Sequence, residues 1–324
     1  MPLNQPLYTT NWGSAYLGNS LDLLDCLEAS SVNLVITSPP FALQREKIYG
    51  NVNQINYIDW LSEFCNKVYR VLTPDGSFVL DLGGAYQSKR PIRSLHNYRI
   101  LLKLCDELNF HLAEEFFWYN PAKLPSPIEW VNKRKIRTKD AVNTIWWLSK
   151  SDYPKADVRR VLVPYSDRMK KLHENPEKYY QPKIRPSGHE IGTAFANNNG
   201  GAIPSNLLQI SNTESNSRYL KLCKALGTVA HPARFPIKLP EFFIKFLTDP
   251  GDLVLDIFAG SNTTGAAAEF NLRRWMAFEL ELTYLTSSIF RFVDTDTQTE
   301  TIKIWSENLL KTQKSIHITR KPLP

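Results

Sequence analysis

The sequence holds no C-x-x-C pair: Cys26, Cys65, Cys105 and Cys223 stand alone, so neither a zinc site nor a disulfide framework is expected. No apolar run reaches the roughly 18 residues that a membrane helix needs. The opening segment 1–10 has neither a basic stretch nor an apolar core, and a reduced, soluble, cytoplasmic location without a membrane partner is expected. Acidic residues are the scarcer sign, 32 against 39 Lys and Arg, and the net charge of +7 is compatible with a polyanionic partner. What is present is ordinary for a globular chain: 43% hydrophobic and 22% charged residues exclude global disorder. A length of 324 residues suits two domains, or one large α/β domain carrying an insertion.

Short apolar runs alternate with helical spacing, the pattern of a mostly parallel, doubly wound sheet. Strands are expected at Asn33–Thr37, Ser77–Asp81, Glu114–Tyr119, Asn143–Ser149, Leu253–Phe258 and Trp275–Glu279. Helices are expected at Ile58–Leu72, Ile100–Leu108 and Thr263–Phe270, the first halting at a Pro74-Asp75-Gly76 turn. Between the halves, residues 151–230 turn rich in Asn, Ser, Pro and Tyr, with twelve Lys and Arg against seven Asp and Glu. They read as an inserted, loop-rich module, against the plainer reading of an elaborated connection. The expected division is 1–150, 151–230, 231–293, and a solvated tail with some helix over 294–324.

Asp256-Ile257-Phe258-Ala259-Gly260-Ser261-Asn262-Thr263-Thr264 joins an apolar strand to an Ala-rich helix. Glycine there permits close backbone approach to a ligand. Glu279 ends the next strand, 23 positions after Asp256, about where an acid meets ribose hydroxyls in nucleotide-binding folds. A packing turn with a surface Glu is the plainer reading; strand, loop, helix, strand and terminal acid in order favour an adenosine-containing ligand. G-x-x-x-x-G-K-[ST] and G-x-G-x-x-G are both absent, and Asp256 would repel a pyrophosphate while suiting an ammonium. S-adenosylmethionine fits better than NAD or ATP, with Asp256 at its ammonium, Phe258 at the adenine and Glu279 at the ribose. Asp81-Leu82-Gly83-Gly84 looks like a second glycine loop, but no helix-opening threonines follow, so it reads as a neighbouring strand end lining the same cleft.

Ser38-Pro39-Pro40-Phe41 directly follows an apolar strand. Two prolines fix φ and remove two donors, leaving carbonyl acceptors beside a hydroxyl. Such acceptors can orient an exocyclic amine, and Phe41 offers a face on which a base can stack. A strand end broken by prolines is the plainer reading of this element taken alone. Because only one strand follows the glycine loop before the tail, the upstream strands must complete the sheet.

With both elements in hand, the chain resembles the DNA amino-methyltransferases of the β arrangement, in which the catalytic motif precedes the cofactor motif. Ser38-Pro39-Pro40-Phe41 is similar to the catalytic motif of the N4-cytosine enzymes. Asp256–Thr264 is similar to the cofactor motif, and His231-Pro232-Ala233-Arg234-Phe235-Pro236 to the segment before it. Tyr16–Asp22 is similar to a G-D-x-L segment near the adenine, with Asn19 where Asp is usual. Ser187-Gly188-His189 and Asn198–Pro204 place the chain nearest the PvuII type. The resemblance implies an α/β fold: a circularly permuted, Rossmann-like S-adenosylmethionine-dependent methyltransferase sheet with an inserted target-recognition module.

It also implies site residues. Ser38, Pro39, Pro40 and Phe41 would be catalytic; Asp256, Phe258, Gly260, Ser261, Thr263, Glu279, Asn19 and Phe235 would hold S-adenosylmethionine, with no metal. Duplex DNA would meet Lys133, Arg134 and Arg137, or these face solvent on a helix, and Arg185, Ser187 and His189 in the module. The implied reaction methylates N4 of a flipped cytosine, the target hexamer being CAGCTG in a restriction-modification system. A cognate endonuclease would share the site without being a stable subunit. N6-adenine methylation by the same fold, and a DNA-binding module without catalysis, are the alternatives. C5 chemistry needs a cysteine nucleophile, and none of the four follows a proline at a strand end.

Overall fold

The computed structural model describes residues 3, 5–40, 56–87, 89–179, 197–213 and 217–319, and among these ten strands form one sheet. They are β1 (Tyr8–Thr10), β2 (Gly13–Leu17), β3 (Val32–Thr37), β4 (Leu72–Leu82), β5 (His111–Tyr119), β6 (Val142–Ser149), β7 (Leu207–Gln209), β8 (Leu253–Asp256), β9 (Arg274–Glu279) and β10 (Ile316–Ile318). Across the sheet they lie in the order β10-β1-β2-β9-β8-β3-β4-β6-β5-β7. From β2 through β4 every neighbouring pair is parallel, whereas β6 runs antiparallel to both β4 and β5.

Strands covered on both faces need apolar residues at successive positions, and Leu34-Val35-Ile36, Val254-Leu255 and Ala277-Phe278 are all buried. Val35, Leu255 and Phe278 join one core with residues of α1 (Ser20–Asp25), α2 (Tyr57–Val71) and α3 (His96–Asp106). In α2 the buried positions Tyr57, Leu61, Phe64, Cys65, Val68 and Val71 form one helical stripe, as the sequence spacing requires. The helix ends where expected, but Pro74-Asp75-Gly76 makes a bulge within β4 and not a free turn. The β3–β4 register jumps from Val32↔Leu72 to Leu34↔Ser77, and the backbone N–H of Lys155 donates to Asp75 O at 3.0 Å.

Contacts divide the chain into two units. One is Asp157–Ser205; the other holds everything before and after it, so 206–230 lies with the sheet, where β7 pairs with β5. Within 157–205, α4 (Asp167–Glu174) is capped by Ser166, α5 (Pro176–Tyr179) follows, and Val163 bridges Ala202. After it come α6 (Arg218–Leu226), α7 (Lys238–Leu247), α8 (Thr263–Phe270) and α9 (Leu282–Ser288). The stretch expected as a solvated tail with some helix does hold a helix, α10 (Thr299–Thr312), but it is docked, burying Ile302 and Leu309, and is followed by β10, which pairs parallel with β1. Ile302 and Leu309 lie seven positions apart on one helix face, enough apolar surface to dock it.

The strand order also sets the site. From β3 the chain moves to β4 on one side, and from β8 it moves to β9 on the other. The order therefore reverses between β3 and β8, and ligands of open α/β sheets bind beyond the carboxyl ends at such a point. Ser38 directly follows β3, and Asp256 closes β8.

Candidate active site

Ser38 is half-buried, and its hydroxyl donates to the carboxylate of Asp81. Asp81 lies near the end of β4, next to β3, and is 5% exposed. Asn143 on β6 reaches the same carboxylate from the other side, Nδ2 to Oδ1 at 3.2 Å. Burial pushes the Asp81 carboxyl up to about 6, against the pull of these two hydrogen bonds and the nearby charge of Lys123. With its proton committed to Asp81, the Ser38 oxygen presents lone pairs to whatever lies in the cleft. Pro39 is buried; the carbonyl of Pro40 accepts from the Tyr57 hydroxyl at 2.8 Å. Phe41 lies outside the described residues.

In the sequence Asp81 reads as the end of a neighbouring strand lining the same cleft, without a role of its own, and neither Asn143 nor Tyr57 stands out. Their available signal is weak: an acid at a strand end, an Asn opening the next strand but one, and a Tyr just before an expected helix.

On the glycine-loop side, Asp256 is 2% exposed and its carboxylate organises the turn. Oδ1 accepts from the Thr37 hydroxyl at 2.7 Å and the Phe258 amide at 3.1 Å, and Oδ2 accepts from the Thr264 hydroxyl at 2.6 Å. Burial raises its pKa against these donors. Asn262 caps α8 by accepting from Gly265 N at 3.0 Å, and a Cβ on Gly265 would fall 2.3 Å from that same oxygen, so only glycine fits. Gly260 adopts a left-handed φ of 51°, and its amide donates to Glu279 Oε2 at 2.7 Å. Backbone amides of Leu280 and Glu281 also reach the Glu279 carboxylate, whose pKa burial nonetheless raises. Ser261 and Thr263 are buried, with hydroxyls 3.3 Å apart, and Arg291 Nε donates to Ser261 O at 2.7 Å.

Other expected residues gather around this loop. Asn19 caps α1, accepting from Leu21 N at 3.0 Å, while neighbouring Gly18 N donates to Glu279 O at 3.0 Å. Ser20 Oγ ties that first turn to Ile257 O at 2.5 Å. Phe258 is half-buried against Phe64 and Trp60, with ring centres 4.9 and 5.7 Å away. Phe235 is half-buried in the segment whose His231 ring lies against Gly260. The carboxyl ends of β2, β8 and β9 thus bring two carboxylates, Asp256 and Glu279, to one loop. That donor set suits a ligand with an ammonium, a sulfonium and ribose hydroxyls, and disfavours a pyrophosphate. Among the described residues no three His, Cys, Asp or Glu side chains gather as a metal site, and no helix is long and apolar enough to cross a membrane.

The basic stretch divides in two. Lys133 and Arg134 both pair with Glu129, at 3.3 and 3.0 Å, and Arg134 lies over the Trp130 ring. Arg137 donates to carbonyls of Pro91 and Ile136 at 3.0 and 2.7 Å. All three side chains are exposed, on one π-turn (Glu129–Lys133) and the irregular chain after it rather than a regular helix face. Arg185, Ser187 and His189 lie outside the described residues.

A family model described as DNA methylase, covering N6 and N4 methyltransferases, matches residues 32–290. Type II methyltransferase M.PvuII of Proteus hauseri is 60% identical over 298 residues, spanning 92% of this chain and 89% of that protein. Type II methyltransferase M.ScaI of Streptomyces caespitosus is 26% identical, covering 89% of this chain and 84% of its own length. Among solved structures, PvuII DNA methyltransferase (cytosine-N4-specific) superposes with a TM-score of 0.80 at 49% identity, over 97% of this chain and 98% of that one. A Thermus thermophilus protein complexed with S-adenosyl-L-methionine shares the fold at a TM-score of 0.51 and 20% identity, over 87% of this chain and 94% of that one.

Proposed function

This chain belongs to the N6/N4 DNA methylase family and is an S-adenosylmethionine-dependent DNA methyltransferase, and we propose that it methylates N4 of a cytosine flipped out of duplex DNA. The observation that carries this reading is the Ser38 hydroxyl bonded to the buried Asp81 carboxylate, one strand away from the Asp256 loop. S-adenosylmethionine, when bound, supplies an electrophilic methyl group on a sulfonium. Asp256, Phe258, Gly260 and Glu279 would hold it: the carboxylates suit its ammonium and ribose, and the Phe258 ring suits its adenine.

The residues on the other side of the cleft handle the amine. A flipped base costs a few kcal/mol to extrude, and the site must receive it with fixed acceptors. The Ser38 oxygen and the Pro39 carbonyl accept the two amine protons and turn the nitrogen lone pair toward the cofactor side. The Pro40 carbonyl is already engaged by Tyr57 and keeps the ridge rigid. As nitrogen gains positive charge, its proton passes to Ser38 Oγ while the Ser38 proton moves to Asp81. A carboxyl near 6 is ionised at neutral pH, so it can take that proton. Positioning is the main source of rate.

The finer proposals are that the target is the central cytosine of CAGCTG, within a restriction-modification system in the cytoplasm. A cognate endonuclease then shares the sequence without forming a stable subunit. The order of Ser38 before the glycine loop supports a permuted sheet, and the 151–230 module, whose compact part is Asp157–Ser205, is assigned to target recognition. Incubating duplex DNA with the protein and S-adenosylmethionine, then analysing nucleosides by mass spectrometry, should yield N4-methylcytosine. N6-methyladenine or 5-methylcytosine as product would overturn the reading, and plasmid protection against a panel of endonucleases tests the hexamer.

A further inference from the structure

We propose that a groove of about 550 Å³ lined by Tyr86, Ile92, Arg93, Arg137, Lys139 and Asp140 seats the DNA backbone phosphates that flank the flipped nucleotide. The inference rests on the DNA-methylating reading above and assigns it a contact surface. Its position follows from the strands: Val142 at the rim opens β6 directly before Asn143, which holds Asp81, and Tyr86 follows β4 by four positions. Lys139 Nζ donates to the carbonyls of Pro121 and Lys123, at 3.2 and 3.4 Å, and the Lys123 charge acts on Asp81. The groove therefore borders the amine-handling end of the cleft. A base that rotates out about its backbone leaves its own phosphates at the mouth of the pocket it enters.

The charge is suited to those phosphates. Arg93 is neutralised by a bidentate pair with Asp140, at 2.6 and 3.0 Å, and lies over the Tyr86 ring. Arg137 and Lys139 instead end on neutral carbonyl oxygens, and among the described residues neither forms a salt bridge. Carbonyls hold these groups without cancelling their charge, so two cations with no carboxylate partner among the described residues line the groove. Tyr86 and the 37%-exposed Ile92 form a wall against which a sugar or base can lie. By contrast Lys133 and Arg134 share one carboxylate with each other and offer less net charge.

The test is Arg137→Ala/Lys139→Ala in the full chain, with binding to a short duplex followed between about 50 and 200 mM salt. Affinity should fall about tenfold or more, and the slope of log K against log salt should become shallower by about 2. Lys303→Ala/Lys311→Ala removes two cations paired to helix carboxylates and should leave both unchanged. A second readout needs no variant: neutral methylphosphonate linkages are placed singly on either side of the methylated cytosine. One or two linkages should weaken the unaltered protein, and the same linkages should cost the double variant nothing more. Unaltered affinity and slope in the variant, or equal loss at every linkage, would overturn the groove while leaving the methylation reading intact. An unaltered protein that binds no duplex would overturn both.

Discussion

The Thr37 hydroxyl donates to Oδ1 of Asp256 at 2.7 Å, joining residues 219 positions apart in the chain. Both sit at carboxyl ends of adjacent parallel strands, and both are buried. The bond fastens the half of the sheet that presents Ser38 to the half that presents the glycine loop. Because the same carboxylate also holds Thr264 and the Phe258 amide, the loop's shape depends on a partner from the opposite half.

Thr37→Val keeps the shape of the side chain and removes the donor. Leaving a buried carboxylate short of one partner costs about 1–3 kcal/mol. Thermal unfolding should show that loss, and calorimetry should show weaker binding of S-adenosylmethionine, since the loop loses its anchor. A variant as stable as the parent, with unchanged affinity, would show that the two halves are held by the strand pairing alone.

Glu279→Gln tests the other carboxylate. The Glu279 oxygens accept from backbone amides of Gly260, Leu280 and Glu281, so the amide variant can keep some of these bonds but presents no charge to a ribose. A lost charged hydrogen bond is worth about 1.5–3 kcal/mol, so affinity for S-adenosylmethionine should drop roughly 10- to 100-fold. Titration calorimetry giving the parental constant would remove Glu279 from the cofactor site.

Much of this architecture is legible in one dimension because its signals are local. The strands ending at Thr37 and Glu279 are apolar runs with abrupt ends that place Ser38 and Glu279, whereas the run expected over Leu253–Phe258 stops at Asp256 and the glycine of the following turn marks the loop. The end of the strand Ser77–Asp81 puts Asp81 at the cleft, but its role does not follow, because that depends on β4 lying beside β3 and on β6 returning antiparallel to bring Asn143, neither of which the period of a strand encodes. Tyr57 stands one position before the expected helix start at Ile58, and its place on the buried stripe appears only because α2 begins at Tyr57. β1, β7 and β10 have three residues each, too few to show alternation, which is why the last reads as part of a tail. Glu129 stands four positions before Lys133, a spacing that favours an ion pair and separates those cations from Arg137 once it is weighed.

Asp157–Ser205 can be replaced by a flexible linker with the sheet unit left whole, since its flanks are tied there: Lys155 to Asp249 and Asp252, each at 3.0 Å, and Asn206 Nδ2 to Glu115 O at 2.8 Å. The shortened protein should bind S-adenosylmethionine as before and lose its preference for one DNA sequence over another. Competition between a methylatable duplex and a scrambled one measures this directly. Retained selectivity would move target recognition out of this segment.

Asp81→Asn separates the amine-handling end from the fold that holds it. The Asp81 carboxyl titrates near 6, above the ordinary value of 3.8, because burial disfavours its charge. Only the ionised form can take the Ser38 proton, so turnover of the parent should fall about tenfold per pH unit below that point. Stability runs the opposite way. A carboxyl whose folded pKa is raised stabilises the protein when protonated, fully below about pH 4, and that contribution is lost as pH rises through 6. The neutral amide escapes the cost of the buried charge, so Asp81→Asn should be more stable than the parent at pH 7.5, by up to about 2–3 kcal/mol in denaturant unfolding, and no more stable at pH 4. Turnover of Asp81→Asn should be low and independent of pH across this window, with cofactor affinity intact. Ser38→Ala should have a comparably low rate, and adding it to Asp81→Asn should cost little more, because the two groups act as one relay. Additive losses in the double variant, or a parent whose rate shows no break near pH 6, would assign the proton to another acceptor.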